Sequence, residues 1–202
     1  MTAEPGALAG IGSLDAEQQA RAGVYSLLGA LLAAPPDTDL LESLRNLHPG
    51  TGLLAPAWEQ LIQAAREARP EQTQEEYHAL FIGLGRGELV PYASWYLTGF
   101  LMEKPLAQLR ADLRRIGFVR QDGVAEPEDH AAAVCEVMSM TIVENTLSLR
   151  EQSAFFTTYV GSWLPRFFHD LGRAESADFY RVVGRLGTLL MDVEQEYFAM
   201  PA

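Results

Sequence analysis

The sequence predicts an all-α protein, a single compact bundle of roughly eight to ten helices. Three observations carry that expectation. Apolar residues recur at intervals of three and four along most of the chain. Alternating runs rich in β-branched residues and bounded by turn signals are missing. Glycines and prolines fall between the periodic segments, and neither an internal repeat nor a low-complexity linker divides the chain.

In order, residues 1–13 read as a flexible tail and the whole of 1–202 as one domain. From Asp15 to Ala34 the stripe Val24, Leu27, Leu28, Leu31, Leu32 marks the first helix. Asp15 with Gln18 resembles a capping box, and Pro35-Pro36 ends the helix. A second helix starts near Asp37 or Thr38 and stops before Pro49-Gly50. The third, 56–68, opens on proline. The fourth, 71–83, puts Tyr77, Leu80 and Phe81 on one face and ends at a glycine. Further helices are expected from Pro105 to Gly117, over 126–149, over 151–172 with a bend at Pro165, and over 176–198. In the 126–149 element Ala131, Val134, Cys135, Met138 and Ile142 would face a core.

Composition narrows the function classes. A 48% hydrophobic content over 202 residues suits one folded core rather than disorder. The net charge of −12 argues against general nucleic-acid binding, which needs cations facing phosphates, and suits basic partners better. Cys135 is the lone cysteine, so neither an intramolecular disulfide nor a multi-cysteine zinc site is available. The first residues lack a basic region and a sustained apolar run, so no signal peptide is expected; no run approaches membrane-spanning length. The expectation is a soluble cytoplasmic protein without stable membrane insertion.

The stretch 81–96, FIGLGRGELVPYASWY, raises the question of a phosphate loop. A Walker-type loop needs a following Lys-Ser or Lys-Thr and a preceding strand, and a dinucleotide loop needs a βαβ unit. Gly83, Gly85 and Gly87 have neither context and read as a helix stop followed by a connector. Tyr92, Trp95, Tyr96 and Phe100 have helical spacing, so most of them are expected in the core.

Residues 126–130, EPEDH, read as an acid-loaded helix start, with Pro127 at the first helical position and Glu128 and Asp129 behind it. His130 beside two carboxylates makes a pH-sensitive patch that attracts cations. Metal binding is not expected, because His48, His78 and His169 are distant in sequence and adjacent helical residues do not share a face. Acidic residues are dense here: Asp122, Glu126, Glu128, Asp129, Glu136, Glu144 and Glu151 stand against Arg150 alone. Such a patch beside aromatic elements suits an arginine-bearing peptide. LRRIGF, 113–118, imitates a twin-arginine export motif, but it is internal and amphipathic, and Arg114 and Arg115 read as solvated charges. Cys135 lies on an apolar stripe, and Ser94 and Ser139 lack any nucleophile context, so catalysis is not expected.

Three stretches together resemble the TorD/DmsD family of redox-enzyme maturation chaperones: EEYHALFIGLGRGELVPYASWYLTG (75–99), EPEDHAAAVCEVM (126–138) and the Q-x-x-F-F and Trp-x-Pro segment within 151–180. The resemblance covers roughly residues 75–180 and rests most on the E-P-x-D-H element. It implies an all-helical, non-enzymatic cytoplasmic chaperone. Such a protein binds the twin-arginine signal peptide and the apoprotein of a molybdopterin-dependent oxidoreductase of the DMSO or TMAO reductase class, and delays export until the cofactor is inserted. Its implied peptide-binding residues are Tyr77, Leu80, Phe81, Pro91, Tyr92, Glu126, Pro127, Asp129 and His130. Tyr77 and Tyr92 stand where some members carry tryptophan. No cofactor is implied beyond weak GTP binding proposed for some members. A nitrate-reductase-type assembly chaperone, a generic helical adaptor and, further off, a guanine-nucleotide hydrolase are the alternatives. Both a monomer and a domain-swapped dimer hinged near Leu101–Pro105 are compatible with the sequence.

Overall fold

The computed structural model describes residues 16–119 and 126–200. The tail expected over 1–13, the capping residue Asp15 and the acidic Asp122 lie outside the described residues. Within them the chain forms ten α-helices and two single turns of π-helix. The helices are α1 (Ala16–Ala33), α2 (Thr38–Arg45), α3 (Ala55–Glu67), α4 (Pro70–Tyr77), α5 (Ala93–Thr98), α6 (Lys104–Arg115), α7 (Ala131–Val143), α8 (Leu149–Phe155), α9 (Leu164–Leu171) and α10 (Phe179–Ala199). No strand occurs among the described residues; one isolated antiparallel bridge joins Tyr92 to His130.

Most boundaries follow local chemistry. Asp37 caps α2 by accepting from Leu40 N–H at 2.8 Å. Ser148 and Glu151 form a reciprocal capping box that starts α8. Prolines sit in the first turns of α3, α4, α6 and α9, where their missing N–H costs nothing. The fourth helix does not run straight to its glycine: α4 passes into the π-turn His78–Ile82 before Gly83. A second π-turn, Phe156–Val160, and Gly161–Trp163 separate α8 from α9, so Pro165 opens a helix instead of bending one.

Two further expectations are corrected. The helix expected from Glu126 begins at Ala131, with His130 as its N-cap and Pro127 in the turn before it. The backbone of residues 129–131 is engaged elsewhere, as described below. The aromatic stripe is not mostly core either. Gly99 adopts a left-handed conformation and ends α5, leaving Phe100 69% exposed and Tyr92, Trp95 and Tyr96 half-buried.

The core is built around α1, α7 and α10. Val24, Leu28, Leu31 and Leu32 of α1 are buried with Val134, Cys135, Met138 and Ile142 of α7. Gly29 lets these helices close up, since a Cβ there would stand 3.3 Å from Ala132 O. Burial pushes the Cys135 thiol up to about 12, so it serves as packing. The guanidinium of Arg21 in α1 grips Glu194 of α10 at 2.6 and 2.8 Å, with both side chains buried. Gln18 accepts from Arg21 and Tyr25 donates to Glu194, which offsets the desolvation of the pair.

Two carboxylates fasten the N-terminus of α10. Glu76 accepts from the N–H groups of Asp178, Phe179 and Tyr180, and Glu88 accepts from those of Glu175 and Ser176. The first three are orphan donors at a helix start, satisfied from α4, and the other two belong to the turn before it, held by the connector after the glycines.

Helix α10 packs closely on α9 because Gly184 and Gly187 lack side chains. A Cβ at Gly184 would lie 2.5 Å from Gly172 N, and one at Gly187 would lie 2.2 Å from the Phe168 ring. Alanine is about 1 kcal/mol better than glycine inside a helix. Gly184→Ala is nevertheless predicted to lower stability, by about 1–3 kcal/mol, because the clash is with backbone. Urea unfolding checks the sign.

Candidate functional site

The glycine loop answers to its own backbone. Gly83 has φ +61°, and a Cβ there would fall 2.1 Å from Arg86 O. A Cβ on Gly87 would meet Leu80 O at 2.5 Å. The chain thereby folds back on the π-turn, and Glu88 and Leu89 donate to Ala79 O and Leu80 O. Arg86 lies over the Trp95 ring at 5.2 Å. The steric demand at Gly83 and Gly87 is met without a phosphate.

Beyond this loop, residues 91–94 clasp residues 129–132. Ala131 N–H donates to Pro91 O at 2.8 Å, and Ala93 N–H donates to Asp129 O at 2.9 Å. The Asp129 carboxylate accepts from Ser94 N–H at 2.9 Å, in the first turn of α5. His130 accepts from Ala132 N–H through Nδ1 at 3.2 Å and so caps α7. The proton of the neutral ring then sits on Nε2. The Tyr92 and His130 rings meet edge to face, 5.0 Å apart. The Tyr92 hydroxyl donates to Glu126. His130 N–H closes the turn on Pro127 O.

Five implied site residues and the turn at Pro127 are therefore brought together, with unequal exposure. Pro91, Asp129 and His130 are buried, Asp129 to 1% and His130 to 6%. Tyr92 and Pro127 are half-buried, and Glu126 is exposed. Asp129 thus works chiefly inward. Its Oδ1 and the Ser94 hydroxyl are buried without a partner among the described residues. Burial, ahead of the bond to Glu126, pushes the Tyr92 hydroxyl well above its ordinary value. Burial also depresses the His130 pKa, and the attraction of Glu126 and Asp129 only partly compensates.

Tyr77 and Phe81 form an aromatic cluster with Tyr180. The Tyr77 hydroxyl donates to the carbonyls of Leu32 and Ala33 and so closes the end of α1. Phe81 packs edge-on against Tyr77 at 5.0 Å and Tyr180 at 5.5 Å. Leu80 is fully buried and offers no side-chain surface.

Beside the clasp, α6 and α7 border a groove of roughly 610 Å³. Leu113, Phe118, Val137 and Met140 supply apolar surface, and Glu126, Glu128 and Glu136 supply acid. Arg110 donates from Nε to Glu128 at 2.7 Å, and Arg114 lines the groove as well. Sequence reasoning missed Ser94, Arg110, Glu128 as a groove residue, and Glu136. The contacts that recruit the first three run between distant segments, which periodicity does not register; the acidic run did flag the region. A second groove, roughly 700 Å³ and more apolar, lies between α1, residues 47–54 and α10, and contains none of the implied residues.

The family described as nitrate reductase delta subunit matches residues 46–169. Among curated relatives, a chaperone protein TorD of Aliivibrio fischeri is 25% identical over 210 residues, covering 92% of this chain and 98% of the relative. A chaperone protein TorD of Shewanella loihica is 27% identical over 197 residues, covering 88% and 92%. A solved structure from Archaeoglobus fulgidus, described as that of a redox enzyme maturation protein, superposes with a TM-score of 0.58 at 18% identity. It covers 91% of this chain and 99% of that one, a likeness of fold.

A pH dependence follows from His130. Because its folded-state pKa is depressed, the unfolded chain binds the extra proton first, and protonating Nδ1 also destroys the cap. Its contribution should be full above about pH 6.5 and fall as the pH drops toward the depressed folded value. His130→Asn keeps a capping acceptor without titrating. In denaturation at about pH 8 and about pH 5.5, the wild type should lose more stability on acidification than this variant. Glu76, whose pKa burial raises, is common to both chains and cancels in the comparison.

Proposed function

We propose, because this chain belongs to the nitrate reductase delta subunit family of TorD/DmsD-type redox-enzyme maturation chaperones, that it acts on a molybdopterin-dependent oxidoreductase before export. In this reading it binds the client's apoprotein and twin-arginine signal peptide in the cytoplasm. It holds the client back until the cofactor is in place. Its relatives are named chaperones, and the role needs no catalysis.

The observation that carries the reading is the junction of an acidic rim with an apolar groove at the clasp. A twin-arginine signal joins two guanidinium groups to an apolar segment. Glu126, on the exposed side of the clasp, offers a charge-assisted hydrogen bond to the first kind of group. Tyr92 and the apolar lining of the α6–α7 groove suit the second. Asp129 and His130, both buried, act by holding this surface in shape.

The description of the matching family favours a second reading, in which the client is a nitrate reductase subunit. The two readings differ in client rather than in mode of action. The glycine loop, whose closest approaches are to its own backbone, lends no support to a nucleotide site.

Calorimetric titration of the chain with a twin-arginine signal peptide tests the proposal. Binding should weaken as ionic strength rises, since the charged part is screened over about 10 Å at 0.1 M salt. Replacing both Asp129 and His130 by alanine should weaken it by about tenfold or more, which is about 1.4 kcal/mol. Undiminished binding by that double variant would remove the clasp from the site.

A further inference from the structure

We propose that Arg86 and Arg166 form a seat for one side-chain carboxylate of a partner protein segment. The seat is opposite in sign to the acidic groove, and it needs neither the clasp nor the twin-arginine reading.

The two arginines line a cleft of roughly 190 Å³, where the end of the glycine loop and α5 meet α9. That is smaller than the usual site for a drug-sized ligand, so it fits one anionic group and not a whole nucleotide. Each guanidinium sits over an aromatic ring. Arg86 lies 5.2 Å from the centre of the Trp95 ring, and Arg166 lies 5.6 Å from that of Tyr96. A cation resting on a ring keeps its N–H donors available at its edge. Both side chains are exposed, and neither makes a hydrogen bond or an ion pair among the described residues. Arg21 makes the contrast: it also lies over rings, but its donors are committed to Glu194 and Gln18.

The cleft's own carboxylates are engaged elsewhere. Glu88 accepts through both oxygens, from Glu175 N–H at 2.6 Å and from Ser176 N–H at 3.0 Å. Asp170 accepts from the Tyr96 hydroxyl at 3.2 Å. A planar carboxylate matches the arginine fork, whose parallel N–H donors meet its two oxygens. With Glu88 and Asp170 in the same cleft, a singly charged carboxylate is repelled less than a phosphate dianion. A protein segment is favoured as the bearer because Leu84 and Leu97 are exposed, each two residues along the chain from Arg86 or Trp95. They offer apolar surface to the residues that flank the carboxylate.

Nuclear magnetic resonance on the full chain tests the seat, read at the Nε–H groups of Arg86 and Arg166 and the indole N–H of Trp95. The probes are acetate, inorganic phosphate, and a Gly-Glu-Gly peptide capped at both ends with its Gly-Gln-Gly counterpart, all at fixed ionic strength. Acetate and the glutamate peptide should shift all three signals saturably, and the glutamine peptide should not. Arg86→Gln and Arg166→Gln should each weaken this binding several-fold. Arg86→Lys should weaken it too, since the charge remains but the fork is lost. Shifts that do not saturate, or binding that both Gln variants leave unchanged, would overturn the seat. Tighter binding of phosphate than of acetate would overturn the carboxylate assignment. Binding of acetate without the glutamate peptide would overturn the protein segment as its bearer.

Discussion

The site depends on one constraint: residues 91–94 and 129–132 must meet as paired backbone. Four hydrogen bonds of this region use groups that a helix or a solvated loop would otherwise keep, namely Ala131 N–H, Ala93 N–H, Ser94 N–H and Ala132 N–H. Each is buried or nearly so, where an unmade bond costs about 1–3 kcal/mol. Asp129 answers two of the four, one through its carbonyl and one through its carboxylate. The first turn of α5 and the first turn of α7 are therefore set by the same pair of residues, Asp129 and His130. An acidic side chain with 1% exposure beside a histidine with 6% is built as a strut, whatever docks outside it.

The rest of the fold delivers the two segments of the clasp to each other. The packing of α1 on α7 fixes the far side of the second segment, with Gly29 allowing the close approach. The Tyr77 hydroxyl, by closing the end of α1, ties the segment before the glycines to the same helix. Glu76 and Glu88 then attach both sides of that loop to the start of α10. Asp129 and His130 face inward, and the outer side of the clasp is formed by the exposed Glu126 and the half-buried Tyr92 and Pro127, beside the groove wall at Glu128.

Local signals were legible in the sequence and long-range ones were not. The apolar stripe of α1, the prolines at helix starts and the stop at Gly83 each follow from chemistry within a few residues. The family resemblance located Pro91, Tyr92, Glu126, Asp129 and His130, but gave them all the same role. The sequence around Pro127 carries every mark of a helix start, and the helix nonetheless begins at Ala131, because the competing bonds come from residues 91–94. The spacing of Tyr92, Trp95, Tyr96 and Phe100 presumed a helix that continues, whereas Gly99 ends it. Likewise nothing near Arg110 announces Glu128 as its partner. Such pairings are set by how helices stack, and periodicity within one helix does not encode them.

In the proposed function a buried clasp holds an acidic and apolar surface ready for a client segment. Amide hydrogen exchange on the chain, alone and with a twin-arginine signal peptide, tests it most directly. Slow exchange is expected at Ala93, Ser94, Ala131 and Ala132 in the free chain, with added protection on binding along the facing sides of α6 and α7. Fast exchange at those four amides, or added protection confined to the groove between α1, residues 47–54 and α10, would contradict it.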